Sequence, residues 1–363
     1  MPGRLVPRIA LILLVFGACR ATQPTHAADV TRRQAFQKIQ EEYGRKLAAF
    51  NNASEGIRNN ADAAKVAKLK PSAAEYCKRF LALAKEKPDD DVALDALAWI
   101  VENDDSEDPF TQLEDVINLI EKHHLASPRL KSVIPSLASS ASLLADALLE
   151  ELIEKGGDRG VRGSACFFLA NSRYERLEGK ILAEVEILLE RVKKEYADIR
   201  IDDEDKPLGA MADALLFEVK YLQPGKVAPD IEGTDVNGKR MKLSDQRGKV
   251  VMLVFWGSWC GPCMAEVPHE RKLMAAYSGR PFTVVGINSG DSKDKAAKTI
   301  KDNKMTWPSF HDGPDGPIVA RWNISSFPTV YLLDAKGVIL VTDLLDEEDA
   351  DKTIEEAVKD AEM

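Results

Sequence analysis

Two cysteines with two residues between them, in the run FWGSWCGPCMAEVP at residues 255 to 268, are the side chains of this sequence best suited to covalent chemistry. The stretch before them, Lys249 to Trp256, is apolar, β-branched and aromatic, and it is bounded by Gly248 and Gly257. That composition predicts a central strand buried on both faces. From Met264 to Tyr277 the pattern turns helical, with Pro268 expected to kink it. Cys260 and Cys263 therefore fall where a strand hands over to a helix. Unpaired amides and the positive dipole end at a helix N-terminus favour thiolate over thiol, which makes Cys260 the attacking sulfur. Cys263, inside the first turn, is read as the more buried thiol that attacks the mixed disulfide and releases the substrate. Gly261 permits the tight turn, and Pro262 presets a helical φ where no amide donor is missed. Cys260 and Cys263 are thus read as a redox-active disulfide.

Other uses of such a pair are weighed against the surrounding residues. A structural zinc site needs two further Cys or His ligands. His269 points away along the helix and the remaining cysteines lie in the other half of the chain, so no metal is expected. A thiol peroxidase needs its cysteine framed by Thr and Arg, commonly as P-x-x-x-T-x-x-C, and the third residue before Cys260 is Gly257. Thiol exchange is the favoured chemistry and needs no bound cofactor. Thiol peroxidase, and a helical interaction scaffold with a regulatory redox domain, are kept as alternatives.

The elements that position this pair occupy a chain of 363 residues, long enough for two domains, with a net charge of -10. That charge, with no Lys/Arg run, argues against nucleic acid as a partner. Arg4 and Arg8 precede a short apolar run from Ile9 to Ala18, followed by small residues to Ala27. The run is too short to span a bilayer and reads as a signal peptide over residues 1–27. Phe16-Gly17-Ala18-Cys19 also resembles a lipobox, which would anchor the protein through a lipid on Cys19. An exported, periplasmic or cell-envelope location is expected either way.

Residues 32–222 read as an all-α domain of helical hairpins. Ala73, Tyr76, Cys77, Phe80, Leu81 and Ala84 follow the i, i+3, i+4 spacing of an amphipathic helix that stops at Pro88. Asp89 to Asp91 then cap a second helix with Val92, Leu94, Leu97 and Trp99 on its apolar stripe. Further helices are expected over Gln112 to His124, Leu130 to Leu137, Ala141 to Glu154, Arg159 to Leu177 and Gly179 to Tyr196. They are degenerate pairs loosely similar to HEAT-like repeats, a docking or self-association platform or else a spacer. Cys77 and Cys166 each sit on an apolar stripe and read as small buried hydrophobes, a disulfide between them being the alternative. His123 and His124 read as solvated surface residues.

The acidic turn Asp202 to Asp205 and Gln223-Pro224-Gly225 lead into a β-containing domain over residues 224–363. Asn237-Gly238 predicts a two-residue hairpin turn. Strands are expected over Phe282 to Ile287, Val330 to Leu333 and Val338 to Thr342, and helices over Lys293 to Asn303, Ile318 to Trp322 and Asp346 to Glu362. Asp312 to Pro317 reads as a loop.

WCGPC after a buried strand resembles the active-site motif of the thioredoxin fold, and the wider pattern resembles its exported TlpA/ResA-type redoxin branch. Val227-Ala228-Pro229-Asp230 with Leu243 to Lys249 is similar to the branch's entry segment. Glu266 and Pro268 match its C-x-x-C-x-x-E-x-P, and Ser326-Phe327-Pro328-Thr329 matches its cis-proline loop. The resemblance implies an α/β thioredoxin-like fold behind the helical domain and a thiol-disulfide oxidoreductase activity. It further implies a cis Pro328, with Phe327 and Trp259 offering backbone and aromatic surface to an extended substrate peptide. Trp256 reads as structural.

This sequence departs from cytoplasmic thioredoxins at Val254, where those carry a buried aspartate. Glu266 is the residue the resemblance offers in its place to tune cysteine protonation. Gly261-Pro262 resembles reducing thioredoxins rather than strong oxidants. The expected partners are exported proteins carrying disulfides and a membrane or periplasmic thiol that supplies electrons.

Overall fold

Capping and apolar periodicity decide where the helices begin and what they bury. Asp90 caps one of them, its side chain accepting the Ala93 amide at 2.7 Å. The computed structural model describes residues 27–55, 60–104, 110–140, 142–176, 182–201, 206–314, 316–342 and 347–363. The expected signal peptide, Cys19 and the acidic turn at 202–205 lie outside these, apart from Ala27. The chain divides into two units, Met1–His123 and His124–Met363. Among the described residues no helix is long and apolar enough to cross a membrane.

The first unit holds α1 (Ala27–Ser54), α2 (Asn60–Ala67), α3 (Ala73–Glu86), α4 (Asp91–Asn103) and α5 (Phe110–His123). An aromatic cluster joins α1, α3 and α4: Phe36 lies 5.2 Å from Phe80, Phe80 4.3 Å from Trp99, and Tyr43 5.0 Å from Trp99. Arg32 reinforces it by donating to Asp90 at 2.9 Å and to the Leu83 carbonyl at 2.9 Å. Cys77 is buried within this unit.

The second unit begins with a 3-10 turn, Pro128–Ser132, and α6 (Ile134–Ser139). A single helix was expected over Leu130 to Leu137. Pro135 lacks an amide hydrogen and crowds the preceding turn, so the segment breaks at Val133. α7 (Leu143–Lys155), α8 (Arg159–Arg176), α9 (Leu182–Glu195) and α10 (Leu208–Tyr221) follow. His124 is buried rather than solvated as expected. Cys166 is buried and free, donates to the Leu188 carbonyl at 3.3 Å, and has its thiol pushed up to about 12 by burial. Neither Cys77 nor Cys166 is in a disulfide.

After α10, β1 (Glu232–Thr234) and β2 (Arg240–Lys242) pair antiparallel. Their connection runs from Asp235 to Lys239 and is longer than the expected two-residue turn. Gly238 takes a φ of 84°, Asn237 does not enter the left-handed region, and Asp235 instead accepts the amides of Asn237 and Lys239 at 2.8 and 2.9 Å. β3 (Val250–Trp256), α11 (Gly261–Ala276), β4 (Phe282–Ser289), α12 (Lys293–Asp302), β5 (Ser309–Gly313), α13 (Pro317–Arg321), β6 (Thr329–Leu333), β7 (Ile339–Thr342) and α14 (Glu347–Glu362) complete the fold. β5 corrects the loop expected from Asp312. Its sequence SFHDG has no apolar run, and the parallel ladder with β4 makes it a strand.

The five-stranded sheet has the order β5-β4-β3-β6-β7, with β3 parallel to β4 and antiparallel to β6. β3 is buried along its whole length because successive side chains point to opposite faces of the sheet and enter two cores. Met252, Val254 and Trp256 share one core with Val284, Leu332, Ile354 and Val358. Val251, Leu253 and Phe255 share the other with Leu222, Ile287, Phe310 and Trp322. Leu222 at the end of α10 and the half-buried Phe217 bring the last helix of the helical run into that second core.

Candidate active site

The C-terminal end of β3 points into Gly257-Ser258-Trp259 and then α11, whose N-cap is Cys260. Cys260 and Cys263 form a disulfide, and the Cys263 amide donates to the Cys260 sulfur at 3.1 Å. This is the contact a helix N-terminus offers a thiolate, an orphan amide aimed at the capping atom. Pro262 occupies the first turn, where its missing hydrogen costs nothing. In the disulfide form both cysteines are buried, at 4% and 3% exposure, so the expected contrast in burial is absent. Both belong to the core that also contains Val254 and Trp256, so the disulfide closes over the top of that core.

The loop ahead of the cysteines is held from β4. Asp291, 1% exposed, accepts the Ser258 amide at 2.8 Å, the Ser258 hydroxyl at 2.6 Å and the Asn288 amide group at 2.8 Å. Burial works against its charge, but those hydrogen bonds and the Lys295 ammonium 3.6 Å away hold its carboxyl below the usual carboxylate range. Asp291 was not among the residues singled out from the sequence. Its signal was an acid in Asn288-Ser289-Gly290-Asp291 just past a buried parallel strand, where loops of such sheets gather polar groups.

Trp259 is 54% exposed, donates its Nε1 to the Ser289 carbonyl at 3.1 Å and meets Phe327 edge-on at 5.1 Å. Its indole lies across two glycines. A Cβ on Gly257 would stand 2.4 Å from Trp259 Nε1, and one on Gly290 2.6 Å. Gly257 is therefore required by the ring it supports. The Phe327–Pro328 bond is cis, both residues are half-buried, and Phe327 packs against the core that holds the two cysteines. Thr329, next in the chain, pairs with Phe255 at the end of β3, which sets the cis-proline loop beside the strand that leads to Cys260. The structure thus brings Trp259, Phe327 and Pro328 to one end of the sheet with Cys260 and Cys263.

Glu266 lies one turn beyond Cys263 with its side chain 39% exposed, and its Oε2 is 3.9 Å from His269 Nδ1. A second carboxyl escaped the sequence analysis. Glu270 is 3% exposed, and burial, with the Glu266 charge behind it, pushes its carboxyl up to about 8. Its spacing of seven from Cys263 on an apolar stripe was the available signal.

On the other face of the sheet, Glu218 of α10 accepts from Tyr174 Oη at 2.7 Å and from Asn323 Nδ2 at 2.9 Å. Asn323 adopts a φ of 53° in the segment that runs from α13 into the cis-proline loop.

Residues 224–342 match the AhpC/TSA family. The thiol-disulfide oxidoreductase ResA of Geobacillus kaustophilus is 33% identical over 133 residues, 36% of this chain and 76% of that protein. The thioredoxin-like protein YneN of Bacillus subtilis is 37% identical over 121 residues, 32% of this chain and 69% of that protein. Among solved structures, the thioredoxin domain of a thiol-disulfide oxidoreductase from Bacteroides vulgatus is 30% identical, with a TM-score of 0.35, covering 37% of this chain and 97% of that one.

Proposed function

Given that this chain belongs to the thioredoxin-like thiol-disulfide oxidoreductases of the AhpC/TSA family, we propose that it reduces or exchanges disulfides in other exported proteins through the Cys260–Cys263 couple. The observation that carries this reading is the Cys260–Cys263 disulfide on a helix N-terminus, at the same end of the sheet as an exposed tryptophan and a cis-proline loop. Trp259 and Phe327 are offered as the apolar platform for an extended substrate segment, with the loop at Pro328 presenting backbone groups to it.

The reaction is two successive exchanges. The Cys260 thiolate attacks one sulfur of a substrate disulfide; a bond forms between them, and the other substrate sulfur leaves with the electron pair and takes up a proton. Cys263 then loses its proton and attacks Cys260, which reforms the enzyme disulfide and releases the second substrate thiol. Two electrons pass to the substrate, and a thiol donor in the same compartment restores the dithiol. The apolar run Ile9 to Ala18 after Arg4 and Arg8 supports export, with Cys19 as a candidate lipid anchor. The helices before residue 224 are a docking or self-association element in this reading.

Reduction of insulin disulfides by the purified chain tests it. Turnover that disappears in Cys260→Ser supports the proposal. A dithiol that titrates normally but turns over no protein disulfide, or rapid peroxide consumption in its place, rejects it. A reduction potential near about -270 mV fits a reductase, whereas one near about -120 mV reverses the proposed direction.

A further inference from the structure

α13 ends at a residue in the left-handed region. The Ile324 amide reaches back to the Val319 carbonyl at 3.1 Å and the Asn323 amide to the Ala320 carbonyl at 3.3 Å, the closing bonds of a helix that stops on such a residue. Asn323, at a φ of 53°, holds the place that glycine fills most often. Its side chain reaches away from the turn. Nδ2 donates at 2.9 Å to Glu218, 105 residues earlier on α10, and Tyr174 of α8 donates to the other Glu218 oxygen at 2.7 Å. Burial, with the Glu218 charge beside it, pushes the Tyr174 phenol upward, so it stays a donor.

α10 is itself seated on the redox domain. Leu222 at its end lies in the second core, and beyond it the Gly225 amide donates to the Ile339 carbonyl and the Ile339 amide to the Lys226 carbonyl, each at 2.8 Å, along β7. Phe217, next to Glu218, packs on the core that Ile324 and Phe327 also touch, and the Arg321 guanidinium stands 5.4 Å from its ring centroid. Asn323 precedes Ile324 in the short run to Phe327, which packs on both cores and meets Trp259 at 5.1 Å. The carboxylate on α10 is thus fixed to the domain and grips the left-handed residue from which the chain enters the cis-proline loop.

We propose that Glu218 is a positioning residue of the redox site: by holding Asn323 in its left-handed turn, the last helix of the helical run sets the conformation in which the Phe327-Pro328 loop meets a substrate disulfide. The inference rests on the thiol-exchange reading and gives the helical run a part in it besides docking. Glu218 acts through the fraction of molecules whose loop is ready to bind. Without its bond to Asn323 that fraction falls, and the apparent affinity for an extended substrate falls by the same factor. The exchange chemistry of Cys260 and Cys263 is left as it was.

The test exchanges donor and acceptor in the full chain. Asn323→Asp keeps the shape and the tolerance for a left-handed φ but sets a second carboxylate against Glu218. Adding Glu218→Gln restores a donor–acceptor pair and leaves the amide oxygen to accept from Tyr174. At neutral pH, Asn323→Asp should raise KM for insulin by about tenfold, the scale of one hydrogen bond to a charged group, with kcat and the rate with a small disulfide little changed. The double variant should bring KM back. Hydrogen exchange over residues 324–329 should quicken in Asn323→Asp and recover in the double variant. A joint that served stability alone would shift the denaturation midpoint and leave KM in place, so an unmoved KM overturns the proposal, as does a raised KM that the second substitution fails to restore. Should Asn323→Asp not fold, Asn323→Gly keeps the φ and removes the bond, and an unmoved KM there overturns the proposal equally. No substrate enters the exchange measurement. A chain that reduces no insulin therefore rejects the thiol-exchange reading, while unchanged exchange over residues 324–329 rejects the role of Glu218 by itself.

Discussion

Ser258 gives both its donors to one buried carboxylate: its amide lies 2.8 Å from Asp291 Oδ2 and its hydroxyl 2.6 Å from Asp291 Oδ1. The loop before Cys260 is thereby fixed to the end of β4, two residues ahead of that cysteine. Replacing Asp291 by Asn keeps the shape but exchanges one acceptor oxygen for a donor that faces other donors. We expect Asp291→Asn to lose about 1–3 kcal/mol of stability, the cost of leaving a buried polar group unmatched, and to slow disulfide turnover through a loosened loop. Because the folded-state carboxyl titrates below its usual range, its stabilisation is present above that range and lost as pH falls through it. Urea denaturation at several pH values checks this: the acid-side loss should shrink in the variant.

Gly257 and the Trp259 ring compete for one volume. An added Cβ would meet Trp259 Nε1 at 2.4 Å and the Ser289 carbonyl at 3.0 Å. Gly257→Ala should therefore displace the indole and break its bond to Ser289, at about 1–3 kcal/mol for forced overpacking. Tryptophan fluorescence should report the displacement, and a rise in KM for a protein disulfide with little change for a small disulfide would mark Trp259 as a substrate platform.

Glu270 makes a separate prediction about stability. Its carboxyl titrates at about 8 in the folded chain against an ordinary 4.5, so between those values the folded state holds a proton that the unfolded state has released. Stability is full below the lower value, declines as pH rises by up to about 1.4 kcal/mol per pH unit, and levels off above the higher one. Glu270→Gln should flatten this decline. A variant that keeps the full wild-type slope in denaturant titrations from acid to mildly alkaline pH would refute the assignment.

These residues differ in how far the sequence exposed them. The WCGPC turn, the buried strand ahead of it and the Phe327-Pro328 dipeptide are local signals, since strand composition, helix-start geometry and proline chemistry act within a few residues. The thioredoxin-like fold and the mostly helical N-terminal region were legible for the same reason. Asp291 was not, because its value lies in meeting Ser258 from 33 residues away, across a parallel sheet contact that no periodicity encodes. β5 was hidden because SFHDG becomes a strand only by pairing with β4. The Asn237-Gly238 turn was misjudged in length because Asp235 competes for the local amides. Glu270 was visible as an acid on an apolar stripe, but only its burial gives that position meaning.

A last prediction concerns the link between the helices and the approach to the cis-proline loop. Tyr174 Oη donates to Glu218 at 2.7 Å and accepts from Gln223 Nε2 at 2.8 Å, while Asn323 donates to the other Glu218 oxygen at 2.9 Å. One carboxylate therefore joins α8, the end of α10 and the segment that leads to Phe327. Tyr174→Phe removes a donor from Glu218 and an acceptor from Gln223, and should cost about 1–3 kcal/mol. If the network also steadies the loop, Tyr174→Phe and Asn323→Ala should be non-additive, with a coupling of about 0.5–3 kcal/mol in a double-mutant cycle. The same cycle measured on kcat/KM for a protein disulfide separates two roles. Coupling in stability alone makes Glu218 a structural joint. Coupling in both means that the helices set the conformation in which the loop meets its substrate.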